Sequence, residues 1–260
     1  MAWTSYFATG FNSKTAGTSI TGQYTNGVPG AAANAYAVVV LIALDNVQTT
    51  DGNTSLVTAV TDDLGLTYTK IGEYTTGQGG AGSGATVAAW FADGTIAIPA
   101  SSTRIVTITH GSVTARAGYV SYFNRTSTTL PVKVIGTPAT LADTAADPGS
   151  LTVSGLSSTA YLFIRATALE TASGTAITVT AGWTNTPGAA TGGTTGGAAN
   201  TNVSLATEHL ISTATSATSD FTVTAADCAS ILFCLKEGAA VASFPPIVPA
   251  MAVMRPHLAR

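Results

Sequence analysis

Side-chain alternation with a period of two constrains this chain more than any other feature. In residues 104–109, 150–154, 175–180 and 220–224, β-branched or aromatic residues occupy one set of alternate positions and Thr or Ser the other. A strand with one buried face requires this pattern. Two further segments, 36–44 and 231–235, are apolar at nearly every position. They read as strands covered on both faces. Between these segments lie turn-forming groups: Asn26-Gly27, Asp51-Gly52-Asn53, Asp93-Gly94 and Asp147-Pro148-Gly149. Gly and Asn tolerate positive φ, and Pro presets φ for a turn. No stretch carries a convincing amphipathic helical period. The expected fold class is all-β, a sandwich of the jelly-roll or immunoglobulin-like kind.

The pattern occurs twice. Ala35-Tyr36 opens an apolar strand that ends Ala43-Leu44-Asp45, and Ala160-Tyr161 opens one that ends Ala168-Leu169-Glu170, at an offset of 125 residues. A Pro-Gly turn precedes each strand. An alternating strand, a Gly-rich loop (77–84 and 188–197) and three further strands follow each, the last of them aromatic (119–123) or apolar (231–235). The order of features predicts two related halves, residues 1–125 and 126–238, each with about seven strands. Periodicity alone leaves open whether they form two sandwiches or merge into one.

Residues 239–260 differ in character. They hold four prolines, which exclude a regular helix or a central strand and favour extended geometry. They are also apolar, through Phe244, Ile247, Val248, Met251, Val253 and Met254, with Arg255 beside Pro256. These seven residues are the candidate partner-binding positions. An extended apolar arm needs a surface to cover, on its own chain or on a neighbouring subunit, and the neighbour is the favoured reading.

Composition narrows the setting. Charged residues make up 9% of the chain, against roughly 25% in ordinary soluble domains. The hydrophobic fraction of 45% excludes a disordered chain. The surface is therefore built from Thr, Ser, Asn and Gly, which suits an assembly or an extracellular setting. Net charge is −3, and the ten basic residues are scattered, so no phosphate-tracking run exists and no nucleic-acid partner is expected. The segment at 35–44 is about half the ~20 residues of a membrane helix, so no membrane partner is expected either. The first residues lack a basic and an apolar region, so no secretory leader is expected. Cys228 and Cys234 lie six positions apart; in one strand they share a face about 20 Å apart, beyond disulfide reach.

The sequence offers little catalytic chemistry. His110, His209 and His257 have no metal-ligand spacing. Glu208 and His209 are adjacent, so in a strand they point to opposite faces and form no dyad. The Gly77-Gln78-Gly79-Gly80-Ala81-Gly82 segment matches a dinucleotide fingerprint formally, but a strand, not a helix, is expected after it. Asp45, Asp51, Asn53, Asp62 and Asp63 supply hard oxygens of the kind calcium takes, yet short polar turns use the same residues. No cofactor, metal or catalytic residue is expected, and the chain reads as non-enzymatic. Among the aromatics, Trp90 lies within a strand and reads as core. Trp183 follows a Gly at a strand end and is the candidate exposed platform for a glycan.

The segment 57–68, Val-Thr-Ala-Val-Thr-Asp-Asp-Leu-Gly-Leu-Thr-Tyr, follows a hydrophobic strand and precedes a Gly-rich loop and an Ala-Ala-Trp strand. This arrangement resembles the β-sandwich virion structural proteins of tailed bacteriophages. The resemblance covers most of residues 18–124 and, more weakly, 140–237. It implies a virion protein assembled in the host cytoplasm and then released, with other capsid or tail subunits and copies of itself as partners. It implies either a capsid decoration protein or another particle-surface protein; a tail or fibre component, or an adhesin for host carbohydrate, is the alternative.

Overall fold

The computed structural model describes residues 3–25, 36–45, 48, 50–77, 84–94, 103–125, 127, 130–171, 178–185, 202–223 and 226–238. Among them there is no helix, and fifteen strands form four antiparallel sheets. The first half supplies β1 (Trp3–Ser13), β2 (Gly17–Thr25), β3 (Tyr36–Asp45), β4 (Val57–Asp62), β5 (Tyr68–Thr75), β6 (Ala85–Gly94), β7 (Thr103–Val113) and β8 (Arg116–Arg125). The second supplies β9 (Val132–Ala146), β10 (Leu151–Val153), β11 (Tyr161–Leu169), β12 (Thr184–Asn185), β13 (Ser204–Ser212), β14 (Ala217–Ser219) and β15 (Ala226–Glu237). Sheet A has the order β1-β8-β3-β6-β5, and sheet B is β2-β7-β4. Sheet C has the order β9-β15-β11-β13-β12, and sheet D is β10-β14. Taken in chain order, the two five-stranded sheets repeat one arrangement, and each half keeps its smaller sheet on one face.

The stacking follows from which side chains share a face. In β3, Tyr36, Val38, Val40, Ile42 and Leu44 pack with Ile20, Val60, Val106 and Ile108 of sheet B. The alternate residues Ala37, Val39, Leu41 and Ala43 pack with Leu162, Ile164, Ile231 and Phe233 of sheet C. In sheet C, Phe163, Leu232 and Cys234 face Leu151 and Ala217 of sheet D. The layers therefore run B, A, C, D. Sheets A and C are inner layers, which is why β3 and β11 are buried at every residue. Continuous apolar runs are the sequence signature of strands covered twice. The outer sheets alternate: Ile20 and Ile108 point inward, and Thr21 and Thr107 outward.

Several turn assignments shift. Asp93-Gly94 does not turn; it ends β6, and the space a Cβ on Gly94 would need is filled by the Tyr36 ring. The strand expected at 220–224 is described only at 220–223, where it forms no ladder. The ladder lies in β14, one turn earlier in the chain, followed by a single bridge from Thr222 to Thr178. The alternation is real, since Phe221 and Val223 are buried, but beyond that bridge the backbone is held by side chains: the Asp220 N–H donates to the Thr180 hydroxyl at 2.7 Å and the Val223 N–H to Asp147 Oδ1 at 2.8 Å. The strand expected at 175–180 is described only at 178–180, where Thr178 makes this bridge. Strand β9 contains Pro138, which removes a ladder donor. It is tolerated because β9 is an edge strand, and its register with β15 slips between Ile135 and Ala139 beside Gly136 at φ 71°.

The Thr-Asp-Asp-Leu-Gly segment carries the chain from sheet B to sheet A. Asp62 Oδ1 accepts the N–H groups of Leu64 and Leu66 at 3.1 and 2.9 Å, Gly65 takes φ 71°, and the Tyr68 hydroxyl donates to Asp62 Oδ2 at 2.8 Å. These residues serve architecture.

Glycines also make room for Phe11. Its ring occupies the positions that a Cβ on Gly22 of β2 and on Gly118 of β8 would take. Aromatic cover of strand glycines restores packing that glycine itself lacks. Gly118→Val is expected to expel that ring from under β1 and to destabilise the protein by about 1–3 kcal/mol, the usual range for overpacking. Urea denaturation checks this; an unchanged midpoint would remove the role assigned to Phe11.

Candidate functional site

Three polar features stand out among the described residues, most of whose buried side chains are apolar. The first is a network beneath sheet D. Arg165, central in β11 and 0% exposed, donates to the carbonyl oxygens of Ser219 and Gly149, both at 2.9 Å, and lies 4.4 Å from the Phe221 ring. Burial lowers its pKa to about 10, opposed by the negative charge of Glu208. Glu208 accepts the hydroxyls of Ser219 at 2.5 Å and Thr180 at 2.7 Å, and the Thr180 N–H at 2.8 Å. The two terminal guanidinium nitrogens and both Glu208 oxygens reach neighbours, while the Arg165 Nε, buried with them, has no hydrogen-bond partner. The arrangement ties two loops to a sheet.

The second is Glu73 of β5, also buried. It accepts the Thr54 hydroxyl at 2.5 Å and the N–H groups of Leu56 and Val57 at 2.6 and 3.1 Å, and pairs with Lys70 at 2.8 Å. It holds the chain entering β4 against the edge of sheet A.

The third is a groove of about 350 Å³ at one corner between the halves. Trp3 and Thr4 of β1 line one side, and Gly182, Thr184, His209, Leu210 and Ile211 the other. His209 packs edge-on against Phe123, with ring centroids 5.3 Å apart, and burial lowers its pKa to about 4. It is a neutral imidazole at ordinary pH, and among the described residues lining the groove there is no carboxylate. The residues that meet here are some 200 positions apart in sequence, and only the stacking of the two halves joins them.

The structure disperses the other candidates. Glu208 pairs across the ladder with Arg165 and faces sheet D, whereas His209 pairs with Ile164 and faces sheet A, so the two stand on opposite faces. His110 is buried, with Nδ1 2.6 Å from the Gly111 carbonyl oxygen, and burial lowers its pKa. Asp62 caps a turn, Asp63 meets Arg104 at 3.3 Å, Asp51 accepts the Gly77 N–H at 2.7 Å, and Asn53 is exposed. Among the described residues no group of three His, Cys, Asp or Glu is placed to hold a metal ion. The chain after Gly84 enters β6 directly, so no helix N-terminus meets the Gly-rich loop. Cys228 and Cys234 are both buried and unpaired, and burial pushes their thiols up to about 12 and 11. No helix among the described residues is long and apolar enough to cross a membrane.

Trp183 is a correction. It is 8% exposed and packs with Leu151, Tyr161 and Leu232 beneath sheet D. Gly182, at φ 83°, turns the chain so that the Trp183 N–H reaches the Thr180 carbonyl oxygen and the indole folds inward. It provides no exposed platform for a sugar. The tail positions Phe244, Ile247, Val248, Met251, Val253, Met254 and Arg255, together with His257, lie outside the described residues.

A scan against protein-family models matches no family, and searches of curated proteins and of solved structures find no match.

Proposed function

We propose that this chain is a non-enzymatic structural protein of a bacteriophage particle. On this reading it sits at the particle surface as a capsid decoration or similar subunit, in contact with other virion proteins and with copies of itself. The observation that carries the reading is the character of the outer faces. Sheet B presents Ser19, Thr21, Gln23, Ile105, Thr107, Thr109 and Thr61, and sheet D presents Thr152 and Thr218. None of these strand positions is charged; the carboxylate beside them, Asp63, accepts the Ile105 N–H and pairs with Arg104 at the end of the sheet. Depletion of charge is typical of protein contact surfaces, because burying an ion costs more than burying a hydroxyl that finds a partner. The two faces lie on opposite ends of the four-layer stack, so one subunit has two such surfaces.

The edges favour discrete contacts over runaway sheet extension. Register slips interrupt β1 between Ser5 and Phe7, β5 between Lys70 and Gly72, and β9 between Ile135 and Ala139. Bulged edges resist pairing with another strand. Lateral association then falls to faces and to the apolar segment 239–260, which adds a second contact and hence avidity. A carbohydrate-binding reading loses its motive with Trp183 buried.

Mass spectrometry of purified particles tests the proposal. The chain is expected at a stoichiometry set by particle symmetry, and its absence from particles ends the reading. Removing residues 239–260 is expected to leave both halves folded and to lower incorporation. Normal incorporation of the truncated chain would show that the segment is dispensable.

A further inference from the structure

The apolar layer between the two halves ends in two carboxyl groups. On β3 the residues facing sheet C are Ala37, Val39, Leu41 and Ala43, and the next position in that series is Asp45. On β11 the residues facing sheet A are Leu162, Ile164, Ala166 and Ala168, and the next is Glu170, just past the strand end. Equivalent ends of the two central strands thus turn an acid toward each other across the contact between the sandwiches. Asp45 is 8% exposed and Glu170 6%.

Glu170 is the anomalous member. Neither of its carboxyl oxygens has a hydrogen-bond partner, although both are buried. Its own N–H donates to the carbonyl oxygen of Asp227 at 2.8 Å, which fixes the backbone beside a third acid. None of the ion pairs among the described residues includes Glu170. A carboxylate in this position would meet desolvation and two like charges with no donor to offset them.

We propose that Glu170 is a pH-operated latch between the two sandwiches: as a neutral acid it lets the apolar layer close, and its ionisation opposite Asp45 and Asp227 loosens that end of the contact. Burial first, and then the charges of Asp45 and Asp227, raise its pKa from 4.5 to about 9. The thiol at this end lies outside the window. Cys228 stands on the opposite face of β15, with its thiol up at about 12, and the Thr76 hydroxyl donates to the Cys228 carbonyl oxygen. Because the folded-state pKa is raised, the contribution is fully present below pH 4.5 and is lost as pH rises toward 9. Across that window each pH unit shifts the unfolding equilibrium by about tenfold, as for any group one proton apart in the two states. The latch does not depend on the particle reading.

Glu170→Gln removes the titration and keeps the shape. Melting curves and hydrogen exchange, corrected for intrinsic rate, would be recorded from pH 5 to 10 on the full chain. The wild type is expected to lose protection at the ends of β3 and β11 and to melt progressively lower from pH 5 to about pH 9. The variant is expected to stay level and to be the more stable protein at pH 9. Carbon NMR of the wild-type Glu170 carboxyl gives a reading that needs no variant: titration near 9 supports the latch, and titration near 4.5 overturns it. An unchanged alkaline loss in Glu170→Gln also overturns it. So does recovery of the wild type at pH 9 by millimolar calcium, because the site would then take a cation and not a proton.

Discussion

Arg165→Met is expected to lower stability by about 3–5 kcal/mol, the range for breaking a buried charge network from one side. Sheet D has only two strands, each of three residues, too short to hold together without support. Arg165 supplies part of that support from the neighbouring layer. One guanidinium nitrogen binds the Ser219 carbonyl oxygen at the end of β14 and the other binds Gly149 just before β10. Methionine fills similar volume but leaves both carbonyls without donors. It also removes the cation beside Glu208, which is itself fully buried. Arg165→Lys is expected to recover little, because an ammonium cannot span two acceptors with a planar fork. The double change Arg165→Met with Glu208→Gln is expected to recover part of the loss, since the remaining partners of Glu208 are two hydroxyls and one N–H. Urea denaturation measures all three variants. A loss under 1 kcal/mol for Arg165→Met would mean that sheet D is held by Leu151, Phe163 and Trp183 alone.

The same arginine marks how far the sequence is legible. The apolar runs of β3, β11 and β15 are readable because strands covered on both faces have no solvent-facing positions to interrupt the pattern. Arg165 sits inside such a run, and no local signal distinguishes a buried charge from a lapse in the pattern; its partners Gly149, Ser219 and Ser230 are 16, 54 and 65 positions away. Strands β1 and β2 are harder to read, since Gly10, Gly17 and Gly22 weaken their alternation and Phe11 replaces the missing side chains across strands. Gly94 reads as a turn because glycine usually permits one, yet here it is needed for close approach to Tyr36. Trp183 reads as exposed from its position after a glycine, but the positive φ of Gly182 turns it inward. Asp45 and Glu170 are legible as matching strand ends. That they face each other follows only from the stacking of sheet A on sheet C, which no local pattern encodes.

Phe233→Ala tests that stacking with the second large effect. Phe233 is fully buried in β15 and points into the layer between sheets A and C, among Leu235, Ile231 and side chains of the first half. Truncating a buried phenylalanine removes its transfer free energy and leaves a cavity, together about 3–5 kcal/mol. The location decides the form of the response as well as its size. If the two halves were separate folding units, the loss would fall on residues 126–238 and the unfolding curve would split in two. Because one apolar layer serves both five-stranded sheets, the halves are expected to unfold together, with the midpoint lowered and a single transition kept. Fluorescence reports on the two halves separately: Trp3 and Trp90 belong to the first and Trp183 to the second. Single-tryptophan versions, retaining either Trp90 or Trp183, are therefore expected to give coincident curves in the presence of Phe233→Ala. Curves that separate, with the Trp90 midpoint unmoved, would show that the first half stands without the second and that the layer between them is a docking surface instead of a shared core.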